Sequence, residues 1–453
     1  MSRLCKIVTL SLFIVFSTTL VKCETDFNAT GVSELVGVIV IFRHGDRTPV
    51  QPYPNDPYKN ESLWPVGFGQ LTSVGKRRQL RLGQWLRSRY DGFLPDKYSE
   101  KDIYVRSTDV DRTLMSAEAN LAGLYPPSGD QVWDQGLQWQ PIPVHTIPEK
   151  EDYVLSGKKP CVKYNRLLRD LLKSPDFVNI NRKNHDLYAY LTRYSGSLVN
   201  SLETLESLYN TLFIETIFNF TLPNWTVPVY PKKMRPFAEL SFATLSFTED
   251  LARLKTGPLI TEMVNHFKER ISYLERPEEN NNEIKNTSVS SNGHFEKIEQ
   301  PEVKSRKFWI YSAHDITIAN VLQSLKLFQY HCPPYASTIL IELRSLKSEY
   351  FVNIFYKNST VPQQMKLKDC EFNCPFDKFL KIVEPLVIDA QTWQNECNTE
   401  DYDFEPLTIV VLIGLICFIF LSLFALKVCV GSLTDKKEHT KGYPYWRLAN
   451  EEV

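Results

Sequence analysis

The 453-residue sequence predicts an α/β fold: a doubly wound, mostly parallel sheet with helices on both faces, an inserted α-helical cap and a single C-terminal transmembrane helix. Three observations carry that prediction. An apolar strand, a polar turn and a helix follow one another three times. The stretch from about Glu149 to Arg276 turns mainly helical, and Leu407 to Leu426 runs without one charge.

The chain opens with Arg3 and Lys6, an apolar run from Ile7 to Phe16, and small and polar residues up to Cys23, the layout of a signal peptide over residues 1–23. The run is too short to span a bilayer, and an uncleaved anchor is the alternative reading. Leu35–Phe42 reads LVGVIVIF, a β-branched apolar run expected of a strand buried on both faces. The polar turn Arg43–Pro49 follows it. Thr72–Tyr90 predicts a helix, with Leu80, Trp85 and Leu86 among its apolar positions. Ile103–Val105 then leads into the polar turn Arg106–Arg112 and a helix over Thr113–Tyr125, and Phe308–Tyr311 leads into Ser312–Asp315 and a helix over Ile316–Leu327.

Between the second and third junctions, Asn165–Lys173, Tyr188–Tyr209 and Phe237–Lys255 read as cap helices. Residues 277–305 are polar and too poor in apolar side chains to pack, as expected of a mobile surface loop. These readings divide the chain into an α/β core at 24–148 and 306–400, a cap at 149–305, a transmembrane helix at 407–426 and a tail at 427–453. Lys427, Lys436, Lys437, Lys441 and Arg447 follow the span and acidic residues precede it, which places the tail in the cytosol. The asparagines of six N-x-S/T triplets, Asn28, Asn60, Asn219, Asn224, Asn286 and Asn358, all fall on the other side, as glycosylation would require.

A net charge of -1 leaves no electrostatic footprint for nucleic acid. Setting aside the cysteines of the signal region and the span leaves Cys161, Cys332, Cys370, Cys374 and Cys397, an odd number for an oxidising compartment. Their spacing fits no zinc site, and Cys370 with Cys374 is read as closing a small loop.

In open α/β sheets, ligands bind beyond the carboxyl ends of strands, where helix N-termini point N–H groups at anions. The three turns are thus candidates for one site. His44 lies between Arg43 and Arg47, whose mutual repulsion of cations disfavours a metal but whose planar forks suit phosphate. A neutral imidazole there could attack a phosphoryl group. A surface Arg-His cluster is the bland reading, but it predicts neither the second Arg-rich turn nor the Ala-His-Asp turn at equivalent strand ends.

FRHGDRTP at Phe42–Pro49 resembles the signature of the histidine acid phosphatase family, branch 2 of the histidine phosphatase superfamily, which includes the lysosomal and prostatic acid phosphatases. The likeness continues through Trp64–Thr72, Arg106–Ala117, Trp139–Thr146, Asn219–Pro223, Tyr311–Asp315 and Pro333–Ser337. The resemblance implies a metal-independent acid phosphatase without a cofactor, in which His44 forms a covalent phosphohistidine and Asp315 is the proton donor. Arg43, Arg47, Arg112 and His314 would hold the phosphoryl oxygens. An acidic optimum follows, because an unperturbed Asp has a pKa of about 3.9. Arg106 and Asp109 are read as braces, His145 as a packed or interface histidine, and Trp64, Trp133 and Trp139 as core or dimer contacts.

The resemblance also implies the disulfides Cys161–Cys397 and Cys370–Cys374, whereas a third family pair would fall at Ile214 and Thr338, leaving Cys332 unpaired. It suggests a homodimer. Tyr445 and Leu448 in YWRL resemble an endocytic sorting signal for a cytosolic adaptor, with an aromatic patch at the membrane surface as the alternative reading. The implied location is the lumenal side of a lysosomal or endosomal membrane, or the cell surface. Alternatives are selectivity for one phospholipid, nucleotide or inositol phosphate, or an inactive receptor or adhesion ectodomain.

Overall fold

The computed structural model describes residues 33–276, 305–398 and 406–438. The signal region, Asn28, Asn286, residues 277–304 and the sorting residues Tyr445 and Leu448 lie outside them. At the centre is a sheet of β1 (Glu34–Arg43), β2 (Ile103–Ser107), β3 (Phe308–Ala313), β4 (Thr338–Leu346), β5 (Glu349–Lys357) and β6 (Gln363–Met365), in the order β2-β3-β1-β4-β5-β6. A short strand, Cys374–Pro375, also pairs with β5.

The β2–β3 and β3–β1 pairs are parallel, and every other pairing is antiparallel. The sheet is therefore mixed, which corrects the expectation of a mostly parallel one. For β4 and β5 the cause is local: they are joined by Lys347 and Ser348 alone, with φ of 50° and 64°. A two-residue turn with both φ positive reverses the chain without a crossover helix. Neither residue is the Asn or Gly that marks such turns, so the sequence hid this hairpin.

Alternation along β1 explains its continuous apolar run. Val38, Val40 and Phe42 pack with Leu82 and Leu86 of α1 (Ser73–Arg89) and with Ala117, Leu121 and Leu124 of α2 (Asp111–Leu124). Ile39 and Ile41 face the opposite layer, where Leu259, Met263, Val264 and Phe267 pack beside Ile318, Val321 and Leu322 of the helix Asp315–Ser324. With helices on both faces, every residue of the strand from Val36 to Arg43 is buried whichever way it points.

The insertion between β2 and β3 contains α3 (Val162–Lys173), α4 (Pro175–Lys183), α5 (His185–Ser195), α6 (Leu202–Ile217), α7 (Arg235–Thr244), α8 (Glu249–Lys255) and α9 (Gly257–Glu275). The predicted Tyr188–Tyr209 stretch is two helices. Gly196, at φ 76°, ends α5, and a capping box of Ser201 with Thr204 begins α6. Phe237–Lys255 is likewise split, at Thr248, whose side chain caps α8. A separate core of Tyr53, Leu191, Leu205, Leu208, Leu212 and Met234 joins α5 and α6 to the loop that follows the His44 turn. In contrast, α9 supplies the sheet-facing residues already named, so the last helix of the insertion belongs to the central layers.

The disulfides Cys161–Cys397 and Cys370–Cys374 are both closed, while Cys332 is free. Ile214 and Thr338 are buried. The final helix, Pro406–Glu438, contains an apolar segment, Val410–Val428, long enough to cross a membrane and with no part buried against the protein. Asn60, Asn219, Asn224 and Asn358 are exposed.

Candidate active site

Register brings the three turns together. Arg43 pairs with Ala313 and Ser107 with Ser312, so the parallel strands β1, β3 and β2 end level. His44, His314 and Thr108 therefore leave the sheet side by side. The backbone locks this edge: the His44 N–H donates to the Ala313 carbonyl (2.9 Å), and the Thr108 N–H to that of Ser312 (3.2 Å).

The His44 turn also lies directly on α1. A Cβ added at Gly45 would come within 2.5 Å of the Gly75 carbonyl oxygen, and one at Gly75 would strike the backbone of Asp46. Two glycines are what lets these backbones touch. Thr72 caps α1 by accepting from the Gly75 N–H (3.1 Å), while Arg78 holds the Asp46 carboxylate at 2.6 Å.

His44 is 1% exposed, and its Nδ1 lies 2.8 Å from the Gly45 carbonyl. A carbonyl only accepts, so Nδ1 carries the hydrogen and the Nε2 lone pair is left free. Burial, then Arg43 and Arg47, holds the imidazole well below its ordinary pKa and hence neutral. Its ring lies 5.6 Å from that of His314 and 5.7 Å from that of Tyr335.

Arg43 donates to the Pro333 carbonyl (2.5 Å), pairs with Asp315 (2.8 Å) and stacks 4.1 Å from the Tyr335 ring centroid. Arg47 donates to the Thr48 carbonyl (3.0 Å). The Nε atoms of Arg43, Arg47 and Arg112 have no hydrogen-bond partner among the described residues. Burial, then Arg47, lowers Arg112 to about 10, which leaves it charged in any neutral or acidic medium. Three guanidiniums crowded with spare donors make an anion site.

His314 has Nε2 3.0 Å from the Thr108 hydroxyl and Nδ1 3.5 Å from Arg112 Nη2. A guanidinium only donates, so Nδ1 is the acceptor and Nε2 carries the hydrogen. Burial, then Arg112, lowers this histidine to about 3. Asp315 opens its helix and accepts from the Ile316 N–H (2.9 Å). Burial alone would raise its carboxyl, but Arg43, Arg47 and His314 outweigh burial and hold it below the ordinary range.

The remaining candidates separate from these. Arg106 pairs with Asp152 (2.7 Å) and Glu262 (3.1 Å), anchoring the insertion to β2, and Asp109 is exposed. His145 stacks on Tyr104 at the outer edge of β2. Trp64 is buried, whereas Trp133 and Trp139 are exposed. Sequence reasoning gave no role to Tyr335, although its motif had been noted. It also missed Ser116, whose hydroxyl accepts from the Gly45 N–H (3.0 Å), and Gln79, which donates to the Arg43 carbonyl (2.8 Å). A polar residue on the buried face of an expected helix was the only available signal for either.

Residues 34–357 match the histidine phosphatase superfamily (branch 2). The chain belongs to that superfamily. It is 36% identical over 415 residues to lysosomal acid phosphatase of Xenopus laevis, covering 90% of this chain and 89% of that one. It is 38% identical over 376 residues to prostatic acid phosphatase of Bos taurus, covering 82% and 89%. Among solved structures, the apo phytase of Hafnia alvei aligns with a TM-score of 0.56 at 16% identity, over 79% of this chain and 97% of that one. This histidine phosphatase therefore shares with the phytase the fold of sheet and inserted helices.

Proposed function

We propose that the chain is an acid phosphatase that hydrolyses phosphate monoesters through a phosphohistidine. The observation that carries this reading is the free Nε2 of a neutral His44 at a level strand edge, ringed by Arg43, Arg47 and Arg112. In the first step the His44 Nε2–phosphorus bond forms and the ester P–O bond breaks, and the departing alkoxide takes a proton from Asp315. In the second, water attacks phosphorus and gives its proton to Asp315 as the P–N bond breaks, releasing phosphate. The guanidiniums bind the oxygens throughout and supply the charge that a metal supplies elsewhere.

Arg43 and Arg47 depress Asp315, so it must gain its proton as the substrate phosphate neutralises these arginines. Low pH favours that step. A bound phosphate also draws Arg112 away from His314 Nδ1 and favours the protonated ring, which then donates to a phosphoryl oxygen.

On this reading Pro406–Glu438 spans the membrane once and the exposed asparagines are glycosylated in a lysosomal or endosomal lumen, or at the cell surface. Cleavage of residues 1–23, adaptor capture by Tyr445 and Leu448, and the division into core and cap belong to the same proposal. The exposure of Trp133 and Trp139 supports a homodimer contact.

The test is turnover of p-nitrophenyl phosphate at acidic pH by the full chain in neutral detergent. His44→Ala is expected to lose about 10⁴-fold or more in kcat. An alkaline quench should trap labelled phosphohistidine in the parent only. Absence of turnover by the parent would refute the proposal.

A further inference from the structure

A second concentration of positive charge lies away from the phosphate pocket. A cavity of about 550 Å³ opens between the C-terminal end of the helix Asp315–Ser324, the start of α8 and the helix Phe376–Val383. Lys326, Lys368, Lys378 and Lys381 line it, and among the described residues none of the four has an ion-pair partner. Glu249 and Asp369 share the lining, so four ammoniums against two carboxylates leave a surplus of two positive charges.

Lys378 and Lys381 stand three residues apart and so present their ammoniums on one helix face. Like charges gathered in surplus over their counter-charges repel one another, and that repulsion is relieved when an anion enters. The wall supplies an independent sign of a missing partner. Ser324 is 7% exposed, and its hydroxyl oxygen has no hydrogen-bond partner. Buried hydroxyls are ordinarily satisfied, so this one is an unpaired donor in the cavity wall, within a side chain's shift of an entering anion.

We propose that this cavity binds a small polyanion bearing two or more phosphate or sulfate groups. A single anion would engage one or two of the lysines, whereas groups on a common scaffold reach all of them. The helix that begins at Asp315 ends here, roughly 15 Å away at 1.5 Å per residue, so the cavity is separate from the catalytic pocket. Occupancy at one leaves the other accessible. The same chemistry is offered by a soluble polyanion and by a phospholipid headgroup, and the experiment separates them.

Full-length protein in neutral detergent, its catalytic pocket saturated with orthovanadate, is titrated calorimetrically in two arms. One arm uses myo-inositol hexakis-sulfate, which a phosphatase cannot turn over, and the other uses a dihexanoyl phosphatidylinositol bisphosphate, whose headgroup carries two phosphate monoesters. Binding in the first arm assigns a soluble ligand, and binding in the second a lipid headgroup. In either arm, Lys378→Gln/Lys381→Gln should weaken binding by about tenfold or more, and rising salt should weaken binding to the parent. Turnover of p-nitrophenyl phosphate by that variant should be unchanged, which certifies its fold. Ser324→Ala, lacking the unpaired donor, should show a smaller loss. Failure of the parent to bind in both arms, or binding by the double variant equal to the parent's, would overturn the proposal.

Discussion

Asp315 and Glu215 are both buried acids, yet the first is held below the ordinary carboxylate range and the second far above it. Desolvation pushes both upward, and the neighbours decide the outcome. Around Asp315, Arg43 and Arg47 outweigh burial. Glu215, on α6, is 0% exposed and faces Asp56, itself 1% exposed, so burial and a like charge act together. Asp56 is also raised, by burial, although the Tyr58 N–H at 2.6 Å and Lys59 oppose it. Both Glu215 oxygens and Asp56 Oδ2 lack a donor among the described residues. Two carboxyls so placed share a proton. The comparison teaches that one fold can keep one acid ionised at its candidate site and a proton-sharing pair inside its insertion by distributing its arginines.

The sharpest test is Asp315→Asn, expected to cost about 10²–10⁴ in kcat on alkyl phosphates. The loss should be much smaller on p-nitrophenyl phosphate, whose leaving group needs no proton. Equal losses on both would break the assignment of Asp315 as donor. Next in size, Arg43→Met strips the charge that depresses Asp315 and leaves a buried carboxylate unpaired, which costs about 3–5 kcal/mol. Denaturant unfolding would read the cost, and it should shrink as falling pH protonates the acid; a constant difference across pH would contradict the pairing.

Glu215→Gln removes the other pole. A carboxyl raised in the folded state contributes stability that is full below its unfolded value and is lost as pH rises through its folded value. The parent should therefore weaken toward alkaline pH, while the variant should keep on the order of 2 kcal/mol more there and differ little in acid. Melting curves across pH would expose the mistake if parent and variant ran parallel. The smallest effect belongs to Arg78→Ala, whose side chain is 49% exposed: losing its pair with Asp46 should cost under about 1 kcal/mol, visible only as a slight shift in melting temperature.

The clustering of residues around Asp315 was legible in the sequence, and the pairing of Glu215 with Asp56 was not. Arg43, His44, His314 and Asp315 stand next to apolar runs that announce buried strands, and Arg112 closes the polar turn after a third such run, so local pattern alone put them near strand ends. Asp56 lies in a polar, proline-containing segment and Glu215 inside a helix, and only tertiary packing brings them together. The β4–β5 hairpin was hidden for a related reason: Lys347 and Ser348 adopt positive φ without glycine, so pairing across the strands overrides their local preference. The contacts of Ser116 and Gln79 with the His44 turn depend on how closely α1 approaches it, a distance no periodicity encodes.

The Cys161–Cys397 bond closes a loop with a sequence separation of 236, and nearly the whole insertion together with β3, β4 and β5 lies inside it. A backbone break anywhere within that loop leaves two pieces still held as one covalent molecule. A clipped chain would run at full size on a non-reducing gel and fall apart only after thiol treatment. Wear on its peptide bonds thus need not detach His44, which precedes the loop, from Asp315, which lies within it.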